Sequence, residues 1–198
     1  MGEEVEEIVD EVDVEDRVIG RRALSECLAK GILHRAVAVY VWNSKNHVFL
    51  QRRSLSDDWF PGYWTSSCTG HVKSGEDSIQ AAIREIREEL GVTLEEPRFV
   101  LKFVVPPVHY SDLTEYEMMH VFEAFCRDRN LKPNPSEVAE GRFLSIEQFK
   151  AFFEVNMKSS TATGPVQESP QESLPLITPD AILSYRKYVQ LKRFVDKK

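Results

Sequence analysis

Apolar residues recur along the chain with two periods, near two and near three to four, and the switches between them predict its elements. Residues 5–19 carry Val5, Ile8, Val9, Val12, Val14, Val18 and Ile19 among acids, which predicts a short strand or two at a sheet edge. In 21–30 (RRALSECLAK), Leu24, Cys27 and Leu28 share one side, so a short helix is expected, ending at Gly31. Residues 33–42 (LHRAVAVYVW) and 47–53 (HVFLQRR) are rich in β-formers and flank the turn residues 43–46, which reads as a hairpin. Residues 57–62 (DDWFPG) form a loop. Strands are expected at 99–105, stopped by Pro106-Pro107, at 115–126 and at 139–144. Ser145 is a natural N-cap for a helix over 146–155, with Phe149, Phe152 and Phe153 on its apolar side.

Residues 158–175 (KSSTATGPVQESPQESLP) are polar, Ser/Pro-rich and free of aromatics, which marks a loop or disordered linker. Thr178-Pro179 then starts a last helix, with Ile182, Tyr185, Val189 and Phe194 able to dock it. The expected organisation is a domain over 1–157 with an acidic strand region at 1–20, a linker at 158–176, and a C-terminal helix within 177–198 packing on the domain. Strands alternating with helices, plus antiparallel pairs, indicate an α/β fold of α/β/α sandwich type around a mixed sheet.

The helical stretch within 70–92 (GHVKSGEDSIQAAIREIREELGV) adds chemistry to this outline. Glu85, Glu88 and Glu89 stand at i, i+3 and i+4, one face of a helix. Carboxylates so placed repel unless a cation sits among them, and hard oxygen ligands suit Mg²⁺ or Mn²⁺. Mg²⁺ held by few carboxylates completes its shell with water and substrate phosphates, so the expected substrate is a small diphosphate.

Composition narrows the partners. A net charge of −7 disfavours a nucleic-acid polymer, and no apolar run reaches the length of a membrane helix. The acidic N-terminus is unlike a secretory or transit peptide, and Cys27, Cys68 and Cys126 lack metal-type spacing. A reduced, cytoplasmic protein is expected.

The 70–92 stretch resembles the Nudix box, G-x5-E-x7-R-E-U-x-E-E-x-G-U, with Gly70, Glu76, Arg84, Glu85, Ile86, Glu88, Glu89, Gly91 and Val92 at its fixed positions. The resemblance implies a Nudix sandwich fold, which often dimerises, and hydrolysis of a phosphoanhydride with Mg²⁺ or Mn²⁺. It also implies that Gly70, Glu85, Glu88 and Glu89 serve as metal ligands, and that Glu85 activates water, with Glu88 as a further catalytic candidate. Arg84 reads as a partner of Glu76 that ties the box loop to its helix.

Outside the box, Glu115 and Glu117 lie two apart on one predicted strand and so share a face. Glu117 is the candidate fifth ligand and Glu115 a candidate substrate contact, with Glu137 competing. Arg52, Arg53, Lys73, His34 and His71 complete the substrate-binding candidates.

Residues 34–144 further resemble the branch containing type I isopentenyl-diphosphate isomerase, through Leu33-His34-Arg35-Ala36, LQRRS, WFPGYWT, Gly70-His71 and Glu115-x-Glu117. In that enzyme, residues matching His34, His71, Glu89 and the Glu115–Glu117 pair bind metal. Its catalytic Cys directly precedes Gly-His, whereas Thr69 stands there in this chain and Cys68 is one residue early. One residue on a strand is the opposite face, so Cys68 should be buried. The intact Arg84-Glu85 and Glu88-Glu89 set shifts the expectation to a Nudix hydrolase of nucleoside-diphosphate-type substrates, with isopentenyl-diphosphate isomerase as the alternative.

Overall fold

The computed structural model describes residues 6–127, 130–159 and 176–195, without the side chains of 156–159 and 192–195. Its centre is β3 (His34–Asn43), buried on both faces because nearly every position is apolar. β3 runs parallel to β8 (Leu113–Arg127), His34 opposite Glu117 and Val39 opposite Phe122. It runs antiparallel to β6 (Cys68–His71), Ala36 opposite His71 and Ala38 opposite Thr69. β8 pairs in turn with β7 (Arg98–Tyr110), which among the described residues has no other strand partner. On the far side β4 (Val48–Arg53) pairs with β5 (Trp64–Thr65) and β9 (Val138–Leu144). The N-terminal residues form β1 (Ile8–Val12) and β2 (Val18–Ala23), so the predicted helix at 21–30 is cut back to α1 (Leu24–Lys30). Arg21 and Arg22 pair with Asp10 and Val9 across that β-ribbon instead.

Alternation along β3 divides the core in two. Val37, Val39 and Val41 join Cys68, Ala81, Ala82, Ile86 and Leu90 beneath α2 (Ser78–Leu90). Ala36, Ala38 and Tyr40 join Trp64, Phe149 and Phe153 beneath α3 (Ile146–Ser159) and α4 (Pro179–Val195). Helices therefore cover both faces of a mixed sheet, an α/β fold. The last helix contributes Ala181, Tyr185 and Tyr188 to the second core, and Tyr185 stacks on Phe153 at 4.4 Å between centroids. Among the described residues no helix is long and apolar enough to cross a membrane.

Two sequence expectations change. The 33–53 hairpin closes at its turn but pairs only at Trp42–Val48, after which β3 and β4 diverge. β6, β8, β5 and β9 offer each of them a better partner, and the divergence opens a cavity between Ala36 and Val37 on one side and Arg53 on the other. Secondly, Pro106-Pro107 does not stop the strand. β7 continues to Tyr110 through a register shift between Val105 and Val108, the kind of bulge that tolerates proline on an edge strand. The linker predicted at 158–176 starts inside α3, and its residues 160–175 lie outside the described residues, as does the side chain of Phe194.

Candidate active site

The cavity between the diverging strands holds about 290 Å³. β8 brings Glu115 and Glu117 to its wall, β6 brings Thr69, Gly70 and His71, α2 brings Glu85 and Glu88, and β4 brings Arg53. Lys73 and Glu137 also line it. Arg52 does not: strand alternation turns it away, and its Nε donates to the Gly62 carbonyl at 2.8 Å.

The three box glutamates do not gather around one point. Glu89 is buried, its Oε1 accepting from the Thr69 amide at 3.1 Å and its Oε2 from the Gln51 side chain. Glu85 is buried against Arg84 Nη1 at 2.5 Å, and Glu88 is half exposed, 3.2 Å from the same Nη1. Arg84 also holds Glu76 at 2.9 Å and the His71 carbonyl at 2.8 Å, so it knits the box loop to the helix. Burial opposes its charge, but Glu76 and Glu85 outweigh it and push its pKa up. Gly91 caps α2 with φ 63°, in the left-handed region.

Gly70 is required by a close approach. A Cβ there would fall well inside van der Waals contact with the Glu85 carboxyl group. Gly70→Ala should therefore displace Glu85 and lower activity by about 10-fold to 100-fold, checked by steady-state rates alongside circular dichroism showing an intact fold.

Among the described residues, the set whose ligand atoms lie within 4.8 Å of one another is His34, His71 and Glu117. His34 is fully buried. Its Nδ1 lies 2.8 Å from the Ile32 carbonyl, which makes Nδ1 the donor and leaves Nε2 as a lone pair. That Nε2 and Glu117 Oε2 are buried without any hydrogen-bond partner among the described residues. Unsatisfied buried polar atoms are costly, and two of them converging with an imidazole fit a cation. Burial lowers His34 to about 4, with His71 adding to the shift, and burial lowers His71 to about 4 as well. Both rings are thus neutral, the form that ligates metal.

The acids shift the other way. Burial lifts Glu115 to about 8, aided by Asp180, and lifts Glu117 well above its usual range, aided by Glu115. Burial raises Glu85 to about 7 against the pull of Arg84, and raises Glu89 with Glu85 adding to it. Cys68 is fully buried under α2, its thiol pushed up by burial, on the face opposite Thr69.

Sequence reasoning missed several contributors. Asp180 and Glu7 line the cavity from segments distant in the chain. Asp10 on β1 holds the box loop, accepting from Ser74 Oγ at 2.6 Å and the Gly75 amide at 3.3 Å. Gln51 fixes Glu89. None has a local signal, except that Asp180 follows the Thr-Pro helix start. Of the aromatic cluster, Trp59 lines the cavity, packed edge-on against Phe60 and Tyr110, whereas Trp64 belongs to the core.

A NUDIX domain model matches residues 32–163. The chain belongs to the Nudix family. Isopentenyl-diphosphate Delta-isomerase 1 of Photorhabdus laumondii subsp. laumondii is 36% identical over 130 residues, covering 65% of this chain and 73% of that protein. Isopentenyl-diphosphate Delta-isomerase of Serratia proteamaculans is 33% identical, covering 69% and 75%. The crystal structure of DR0079 from Deinococcus radiodurans superposes with a TM-score of 0.65 at 24% identity, covering 92% of this chain and 99% of that one, which shows the shared fold. Nudix proteins generally use divalent metal ions. Family and relatives together support an enzyme. They overturn the expectation of a Nudix phosphoanhydride hydrolase, because relatives 31–36% identical carry the isomerase name. In the structure Glu85 and Glu88 line the cavity, while Glu89 is held by Gln51 and the Thr69 amide.

Proposed function

We propose that this Nudix protein is an isomerase of the isopentenyl-diphosphate type, shifting the double bond of a short branched alkenyl diphosphate. The observation that carries the reading is the buried His34–His71–Glu117 cluster with its two orphaned polar atoms. These residues would hold a divalent ion, Mg²⁺ or Mn²⁺, which supplies positive charge against the diphosphate. Arg53 and Lys73 add charge-assisted contacts to phosphate oxygens.

The reaction needs a proton delivered to the terminal alkene carbon and another removed from the carbon next to the diphosphate-bearing carbon. Glu115, kept neutral by burial up to about 8, is suited to donate the first from β8. Glu85, on α2, is suited to accept the second. One proton enters and one leaves, so the product is an isomer with no net charge change. Trp59 faces the cavity as an aromatic wall that steadies the positive charge developing on the alkene. Ala36 and Met119 supply the apolar part of the lining beside that charge. A cytoplasmic location belongs to the same reading, supported by three buried thiols.

Incubation with isopentenyl diphosphate and Mg²⁺ or Mn²⁺ in D₂O should give deuterated dimethylallyl diphosphate by mass spectrometry. Neither product nor deuterium uptake with either ion would sink the reading. Thr69 stands where the isomerases carry cysteine, and a hydroxyl is a weaker acid–base group than a thiol near neutral pH. Thr69→Cys should therefore raise the isomerisation rate by about tenfold or more, measured in the same assay.

A further inference from the structure

We infer that Asp180 makes the cavity selective for metal-bound over free diphosphate, by opposing the anion-binding charge of Arg53. The inference deepens the diphosphate reading above and rests on it. Arg53 is fixed by two contacts, Nε to the Trp59 carbonyl at 2.7 Å and Nη2 to Asp57 at 2.7 Å. Its Nη1 has no hydrogen-bond partner among the described residues and is the donor left for a phosphate oxygen. Asp57 pairs with this guanidinium, and Asp180 lines the same cavity as Arg53.

Asp180 reaches the cavity from outside the segment that matches the family model, 32–163. The chain is clasped just before it. The Trp64 amide donates to the Leu176 carbonyl at 2.8 Å, the Thr178 amide donates to the Trp64 carbonyl at 3.0 Å, and Ile177 forms a parallel bridge with Trp64. Ile177 and Thr178 are buried, and Thr178 Oγ1 lies 3.4 Å from Thr65 Oγ1. The strand that receives this clasp also receives Arg53, whose amide donates to the Tyr63 carbonyl at 2.8 Å. One short strand therefore sets the relative position of the anion-binding cation and the opposing acid.

The electrostatic consequence is direct. Arg84 is committed to Glu76 and Glu85, so Arg53 and Lys73 are the cations left to attract an anion. A free diphosphate brings negative charge beside Asp180 and is repelled. A diphosphate already carrying divalent metal, or a cavity already holding one, meets no such penalty. The orphaned His34 Nε2 and Glu117 Oε2 mark where the cation enters the balance.

The test uses inorganic pyrophosphate as probe, with binding followed by calorimetry with EDTA or with Mg²⁺. The wild-type chain should bind in Mg²⁺ and bind far more weakly in EDTA. Asp180→Asn should raise the EDTA affinity by about tenfold while leaving Mg²⁺-dependent affinity unchanged or weaker. Asp180→Glu should restore discrimination. A role confined to fold stability would weaken both conditions together and lower Tm, and that result overturns the inference. So does an unchanged EDTA affinity in Asp180→Asn while wild type binds in Mg²⁺, an outcome that leaves the diphosphate reading intact. Should Asp180→Asn fail to fold, Asp180→Ser serves with the same two readings: tighter binding in EDTA supports the charge balance, and unchanged binding in EDTA refutes it. Absence of wild-type binding even in Mg²⁺ would overturn both.

Discussion

Glu117→Gln should lower turnover by at least about 100-fold and remove tight divalent-metal binding, while the metal-free fold becomes no less stable. The two halves have one cause. Glu117 is 5% exposed, and its Oε2 has no hydrogen-bond partner among the described residues. A carboxylate there is desolvated without protein compensation, so it earns its place only through a cation. Glutamine keeps the volume and removes the ionisable group. Loss of even an indirect contact to a metal ligand typically costs 10–100-fold, so losing a ligand outright should cost at least that. Rates on isopentenyl diphosphate, metal content of dialysed protein and thermal denaturation check the three parts. Normal turnover with retained metal would remove Glu117 from the site.

The metal-free protein should lose thermal stability as pH rises from about 7 to 9, and divalent metal should flatten that slope. Glu115 has a folded pKa raised to about 8, and burial raises Glu117 and Glu89 too. A carboxyl raised on folding binds its proton more tightly in the native state. Its stabilisation is full below the unfolded value near 4.5 and is lost as pH climbs through the folded value. His34 and His71 are depressed to about 4, so their contribution is lost as pH falls below about 6.5 and is constant above it. The window above pH 7 therefore isolates the acids. Their combined effect is on the order of a few kcal/mol, or roughly 5–10 °C in Tm for a chain this size. Cations that bind the carboxylates replace the protons and remove the dependence. Melting curves in EDTA and in Mn²⁺ across this range decide it; a flat metal-free profile would mean these groups are better solvated than their burial indicates.

Local signals explain what could be read before the structure. Period and caps located α2, α3 and the start of α4, and the 70–92 pattern named the family. Glu115 and Glu117 share the cavity wall as strand alternation requires, and Cys68 turns away from it for the same reason. What could not be read is non-local. β3 and β4 look like a hairpin because sequence shows their turn and hides the competing partners β8 and β9. The i, i+3, i+4 spacing puts Glu85, Glu88 and Glu89 on one face, yet it is silent on Arg84, which holds Glu85 and Glu88, and on Gln51 and the Thr69 amide, which hold Glu89. His34 and His71 come together with Glu117 only because β6 and β8 flank β3 in the observed register, a relation spread over 84 residues of chain. Asp180 depends on a clasp formed by two backbone hydrogen bonds, which leave no mark on side-chain pattern.

The proline pair in β7 has a consequence for how copies of the protein coexist. β7 borders the sheet over 13 residues, with β8 on one side and, among the described residues, no strand on the other. A border of that length, if straight and fully hydrogen-bonding, would template addition of a neighbour's strand. Pro106 and Pro107 carry no amide donors, one of which a regular strand would point outward, and the accompanying shift in register bends the ribbon, so an incoming chain meets a gap and a bend where it would need to zip on. The same two residues that failed to end the strand are thus expected to leave its outer rim a poor template for a neighbour's strand.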